Sequence, residues 1–330
     1  MKLPLYFLTF VPVFALHTPL AAQQPAKKLP KVGVIYSFGS PTDPPSPIYE
    51  AYKQRLQELG YFEGQNIIFE RRYAEGRLDR MAPFVQELVQ RKVDLILGVN
   101  NVVIRAAKEA TKTIPIVMIS SVDPVAAGYV ETFARPGGNI TGLAWLSRDL
   151  SAKRVELLKE LLPHLSRIAV LWDADGPGPA VAFKEYTAAA RAFNLELRSL
   201  PVRGPTPDFV GALETARNFN SGAVIVVGNP LMFQNLKYLF PLISKHRLPS
   251  MTEEDRYVHA GGLISYGANL ADLYRRAAEY TVDILKGAKP GDLPVKLASK
   301  FDIFVNLKTA RQIGVTIPQH VLIQADKVIQ

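Results

Sequence analysis

A chain of 330 residues, 48% hydrophobic and 21% charged, has an ordinary globular balance and suits two lobes of about 150 residues each. The absence of cysteine excludes disulfides, thiol catalysis, Cys-ligated zinc and lipid attachment through an N-terminal Cys. The formal charge of +9 is interspersed with Asp and Glu along the chain; with no basic run and no aromatic-interleaved basic block, it describes a solvated surface and argues against a nucleic-acid partner.

The first residues stand apart. Lys2 gives a basic start, residues 3–16 are apolar apart from Thr9, and Ala21-Ala22 precede a polar linker over residues 23–30. That order is the pattern of a secretory signal peptide over residues 1–22, too short and too Pro-interrupted to span a bilayer. An exported chain without disulfide or lipid fits the periplasm.

Residues 31–38 (KVGVIYSF) predict a buried strand, and a Pro-rich loop leads to a helix over 48–59 with Tyr49, Tyr52, Leu56 and Leu59 at helical spacing. Strands over 66–73, 93–99 and 114–120 alternate with helices over 78–90 and 102–111. Strict alternation predicts a parallel, doubly wound sheet. The turn Arg135-Pro136-Gly137-Gly138-Asn139 then lets the chain leave that sheet.

The pattern restarts with a helix over 152–162. Strands over 167–172, 195–200 and 223–228 alternate with helices over 180–193, 207–219 and 233–246, and Leu248-Pro249 opens a further strand. The run AVIVVG before Asn229 matches VDLILGV before Asn100. An offset of roughly 130 residues throughout predicts two pseudo-equivalent lobes. A strand over 262–266, a helix over 270–285, a strand over 301–305 and a helix over 307–313 pass between the lobes. The crossings fall near 139–145, 266–269 and 290–300. The fold class is therefore α/β, with two doubly wound parallel-sheet, Rossmann-like lobes joined by three crossing strands. Lobe one takes residues 31–143 plus about 267–292, and lobe two takes 144–266 plus about 293–330. Three short crossings permit hinge closure and little sliding.

Ligands of open α/β sheets bind beyond the C-terminal strand ends. In the first lobe that rule selects Ser37, Phe38, Asn100, Asn101, Ser121 and Asp123. In the second it selects Asp173, Asn229, Pro230 and Glu253, while Trp145 and Tyr266 stand at crossings as an aromatic wall. Asp123, with Asp173 or Glu253, suits an ammonium group. The Asn side chains and the helix start near Val102 suit a carboxylate. Phe38, Trp145 and Tyr266 suit an apolar or aromatic portion. The set fits a zwitterionic amino acid, and equally a nucleoside or another polar heterocycle. Structural roles compete with each assignment: Asp123 before Pro124 initiates turns, Asn100 and Asn101 cap helices, and Trp145 packs between lobes. The histidines lack metal spacing and no GxSxG elbow occurs, so the pattern predicts a binding protein with no cofactor and no catalysis.

Several blocks then occur in order: LQELGYFEGQNI (56–67), IPIV (114–117), DPV (123–125), RPGGNITG (135–142), KRVELLKEL (153–161), GGLISYG (261–267), YRRAAEYTVDILKGAKPGDLPV (274–295) and FVNLKTARQIGVTIP (304–318). Together they resemble the solute-binding proteins of ABC importers in the tryptophan/tyrosine-type group, which share the periplasmic binding protein type I fold. The resemblance covers nearly all of the chain beyond the signal-like segment. It implies a monomeric extracytoplasmic receptor that closes on a small solute and docks on a permease in the inner membrane; members with an assigned ligand take aromatic amino acids. Two segments depart from the group: Val99-Asn100-Asn101-Val102 replaces a small Gly-rich, Thr-Pro-type turn, and Lys296-Leu297-Ala298-Ser299 differs at the hinge. The first departure faces the ligand and bears on its identity. A ligand-sensing regulator of the same fold would carry an N-terminal helix-turn-helix where this chain has the signal-like segment.

Overall fold

The computed structural model describes residues 28–43, 46–99 and 101–330, so the expected signal peptide, most of the linker and Asn100 lie outside the described residues. The first lobe runs β1 (Lys31–Tyr36), α1 (Pro47–Glu58), β2 (Ile68–Tyr73), α2 (Met81–Gln90), β3 (Leu95–Gly98), α3 (Asn101–Ala110), β4 (Ile116–Ser120) and β5 (Ile140–Ala144). The second runs α4 (Ser151–Leu161), β6 (Arg167–Asp173), α5 (Pro177–Ala192), β7 (Glu196–Val202), α6 (Phe209–Asn218), β8 (Ala223–Val226), α7 (Pro230–Gln234), α8 (Leu236–Lys245), β9 (Ser250–Thr252), α9 (Asp255–His259) and β10 (Ile264–Ala268). The chain then returns through α10 (Leu270–Leu285) and β11 (Lys296–Leu297), and ends with β12 (Phe301–Asn306), α11 (Leu307–Ile313), α12 (Gln319–Gln324) and β13 (Lys327–Ile329).

The central strands read as unbroken apolar runs because helices cover both faces of each sheet. Leu95 and Leu97 of β3 face Tyr52 and Leu56 of α1 and Leu273 and Ala277 of α10. Ile96, between them, faces Val85 and Leu88 of α2 and Val103 of α3. In the second lobe Val170 and Ile225 pack with Leu158 of α4 and Tyr186 of α5. Leu171 and Val224 pack with Leu213 of α6 and Ile243 of α8.

The strand orders are β11-β5-β4-β3-β1-β2 and β13-β12-β10-β9-β8-β6-β7. Stripped of their last-added strands, they are the same path, with β6 to β10 standing for β1 to β5. Each contains a switch point, between β1 and β3 and between β6 and β8, where the connections leave in opposite directions. Both fifth strands begin from a Gly-Gly pair: GGNITGLA at 137–144 and GGLISYGA at 261–268. Each also carries a later glycine where it passes closest to its neighbour. A Cβ on Gly142, at φ +134°, would collide with the carbonyl oxygen of Met118; one on Gly267 would collide with that of Glu253.

Several boundaries differ from the sequence expectation. Residues 140–144, read as a crossing, form β5, hydrogen-bonded in parallel to β4 along its length. Lys296 and Leu297, expected in the second lobe, pair with Leu143 and Ala144 of the first sheet. The crossings therefore begin after Ala144, at Asn269 and at residues 298–300. The helix expected over 233–246 is broken at Asn235, which ends α7 and begins α8. Two strands depart from the parallel scheme: β12 runs antiparallel to β10, and β13 follows β12 in parallel.

Candidate ligand cleft

The lobes face each other across a cavity of about 1590 Å³. Of the residues selected from strand ends, all the described ones except Tyr266 line it. On β10 the ring of Tyr266 turns instead toward the second-lobe core and Phe301, with ring centroids 6.0 Å apart. It borders a shallow depression with Lys300 and Asp302, apart from the cleft. The period-two alternation of the strand decides this, since the neighbouring Ser265 is buried toward the opposite face.

In the first lobe the polar residues are tied to one another. Asn101 is the first residue of α3, and its amide is bound sideways: Nδ2 donates to Ser121 Oγ at 3.0 Å, and Oδ1 accepts from Ser120 Oγ at 3.2 Å. The turns after β3 and β4 are thus held together at the switch-point side of the cleft. Asp123 Oδ1 accepts from the backbone N–H groups of Val125 and Ala126 at 2.8 and 3.1 Å. Its turn-forming role is therefore present, on an exposed residue at the cleft margin. The Trp145 N–H extends the β4–β5 ladder by donating to Ser120 O at 3.0 Å, and its side chain packs on the first-lobe core while bordering the cleft.

In the second lobe Asn229 caps α7 by accepting from Met232 N–H at 2.9 Å, and its Nδ2 donates to Asp173 Oδ2 at 2.6 Å. Glu253, just beyond β9, is the most enclosed carboxylate. Its side chain is 13% exposed; Ser147 Oγ donates to Oε2 at 3.1 Å and Tyr186 Oη to Oε1 at 3.4 Å. Behind it lies Arg154, with Nη1 3.6 Å from Oε1. Burial pushes the Glu253 carboxyl above the usual carboxylate range, while the guanidinium of Arg154 and the hydroxyl of Ser147 pull it back.

Residues outside the sequence selection complete the walls. Tyr36 and Tyr73, the last residues of β1 and β2, stack at 4.8 Å and 9°. Tyr49 of α1 leans on Tyr36 at 4.2 Å, and Tyr274 of α10 meets Tyr49 edge-on at 5.1 Å. Burial pushes the Tyr36, Tyr49 and Tyr274 phenols above their ordinary value, so this wall is aromatic and uncharged at neutral pH. The strand-end rule could have found Tyr36 had the first strand, read to residue 38, been ended two residues earlier; Tyr73 already closed the second strand as read and was passed over. Nothing local marked Arg154 or Tyr186, because both lie within helices beside charged residues, Lys153 and Glu156 for the first and Lys184 and Glu185 for the second. Opposite the tyrosines, Arg256 lies over the Phe233 ring at 4.2 Å and pairs with Glu254. The cleft thus offers buried carboxylate, amide and hydroxyl groups between aromatic walls. That chemistry holds a small polar solute with an apolar part. Among the described residues no group of three or more His, Asp or Glu side chains could hold a metal ion.

Two α/β lobes of like topology, facing each other across a cleft lined by their strand ends, define a periplasmic binding protein of type I. The profile of the ABC transporter substrate binding protein family matches residues 42–329, and the chain belongs to that family. Its members bind substrates and are not enzymes. The tyrosine-binding protein of Clostridioides difficile strain R20291 is 26% identical over 269 residues, covering 79% of this chain and 75% of its own. The crystal structure of an ABC domain from Streptococcus pneumoniae in complex with L-Trp superposes with a TM-score of 0.81 and 27% identity, covering 92% of this chain and 100% of that one. A conserved domain protein of Vibrio cholerae gives 0.81 and 27%, covering 91% and 100%. The fold class and the tryptophan/tyrosine-type resemblance read from the sequence are thereby established. Among the described residues no helix is long and apolar enough to cross a membrane.

Proposed function

We propose that the chain is the extracytoplasmic receptor of an ABC importer, capturing an amino acid with an aromatic or otherwise apolar side chain and handing it to an inner-membrane permease when the lobes close about the three crossings. The observation that carries this reading is the Glu253 carboxylate, enclosed at the cleft margin and facing a cavity walled by Phe38, Trp145 and the tyrosine stack. A buried carboxylate with aromatic walls suits an ammonium group bearing an apolar side chain. The amide of Asn101 and the start of α3 suit the ligand carboxylate. The tyrosine-binding and L-Trp-bound relatives support the same class.

Calorimetric titration with L-tryptophan, L-tyrosine, L-leucine, adenosine and cytidine tests it. Binding of the amino acids and not the nucleosides is the expected result, and nucleoside binding alone overturns it in favour of a heterocycle receptor. For the export reading, N-terminal sequencing of protein released by osmotic shock should begin just after Ala22. Light scattering of that material should give a monomer.

A further inference from the structure

One buried cation at the lobe junction is not needed to line the cleft. Arg154 of α4 is 1% exposed, where a guanidinium is costly unless its donors and its charge are matched. Its Nε donates to Tyr266 O at 2.8 Å, on the strand that leads into the second crossing. Nη1 donates to Ser147 O at 2.9 Å and Nη2 to Ser147 Oγ at 3.3 Å, just past the start of the first crossing. Nη1 also reaches Tyr186 Oη at 3.1 Å. Ser147 and Tyr186 are the same two groups whose hydroxyls bind the Glu253 carboxylate. A single planar fork therefore holds two of the three crossings and both hydrogen-bonding partners of the cleft carboxylate.

We infer that Arg154 is a positioning residue that sets Glu253 for the ligand and locks its placement to the hinge, so that occupancy of the cleft and the angle between the lobes are read by one side chain. This rests on the amino-acid reading above only for the ligand half. The charged and titratable groups around Glu253 are Arg154 of α4, Tyr186 of α5, and Glu254 and Tyr257 beside it on the β9–α9 segment. Arg154 is the only cation among them. Lysine at this position keeps the charge and cannot span both crossings, because it lacks the fork.

The test uses the full chain and the variants Arg154→Met, Arg154→Lys and Arg154→Met/Glu253→Gln. The last removes both charges and keeps the measurement possible if the first fails to fold. L-tryptophan binding is measured across pH. Arg154→Met should lose about tenfold or more in affinity and shift its pH dependence further above the usual carboxylate range than the parent's, because the burial of Glu253 is then no longer opposed by the guanidinium. Arg154→Lys should keep the parent pH profile, and the double variant should fold without recovering affinity. A ligand-free readout stands beside it. The chain has no cysteine, so Asp79→Cys and Tyr238→Cys place one spin label on each lobe. The interlobe distance distribution should broaden in both Arg154→Met and Arg154→Lys. Parent-like affinity and pH profile in Arg154→Met, or an unchanged distance distribution, overturns the assignment. If the parent does not bind L-tryptophan, the ligand class fails, and the distance measurement still decides the hinge role.

Discussion

Phe38 and Phe233 meet across the mouth of the cleft, ring centroids 4.2 Å apart and tilted by 46°, the first carried by the loop after β1 and the second by α7. Beside them Gln234 Nε2 donates to the Gly76 carbonyl at 2.6 Å, again from the second lobe to the first. These contacts lie opposite the crossings, so they join the lobes where the cleft would otherwise open.

Phe233→Ala removes the interlobe ring pair together with the surface under Arg256, and costs about 1 kcal/mol of closing free energy. Both rings are only half-buried, so the melting temperature should barely move. Small-angle scattering should show a larger radius of gyration for the ligand-free variant, and stopped-flow should show faster ligand release.

Asn229→Ala removes the cap of α7 and the partner of Asp173 in one step. A cost of about 1–2 kcal/mol in urea unfolding is expected. Asn229→Asp keeps the cap and sets two carboxylates side by side, so its loss should ease as the pH is lowered.

Two carboxylates should tilt the pH–stability curve in opposite directions. The folded-state value of Glu253 is raised by burial, so its stabilising contribution is complete below the usual carboxylate range and declines as pH rises through the raised value. The value of Glu63 is lowered by its hydrogen bonds from Arg71, so its contribution is present above the usual range and is lost as pH falls through the lowered value. Urea midpoints measured against pH should show Glu253→Gln flattening the descent above the carboxylate range. Glu63→Gln should flatten the loss on the acid side.

Gly142→Ala and Gly267→Ala each drive a methyl group into a backbone carbonyl, that of Met118 on β4 and that of Glu253 just beyond β9. Each should cost about 3 kcal/mol or more, measured by thermal unfolding, since backbone has no rotamer to yield. Gly287→Ala tests a different origin. There a Cβ would meet nothing, and φ is +104°, so the loss should come from backbone strain alone.

The repeat was legible in the sequence because buried parallel strands are continuous apolar runs, and those runs recur at one offset. The cleft was legible to the extent that its residues sit at strand ends, as Ser37, Asn101, Asp173 and Asn229 do. Tyr266 was misplaced because one position along a strand reverses the face, and periodicity over five residues does not fix which face meets the ligand. Residues 140–144 were read as connection because they follow directly on the turn at 135–139 and carry Gly142, a residue depleted in strands; pairing with β4 overrides that preference. Arg154 escaped notice altogether. Its sequence surroundings, KRVELLKEL, give it the look of one more solvated helix charge, and only the packing of α4 against two crossings buries it.

The return of the chain through α10 has a consequence for synthesis. Tyr52 of α1 hydrogen-bonds Thr281 at 2.8 Å across a separation of 229 residues, and Leu56 beside it shares the cover of Leu273 and Ala277. A nascent chain that has delivered all of β1 to β5 still lacks the helix that roofs them. The first lobe thus begins first but is covered only after β6 to β10 of the second have been made, and the second in turn waits for β12 and β13. Contacts of such range form slowly. One face of β1 to β5 therefore stays uncovered until Leu285, the end of α10, has been made.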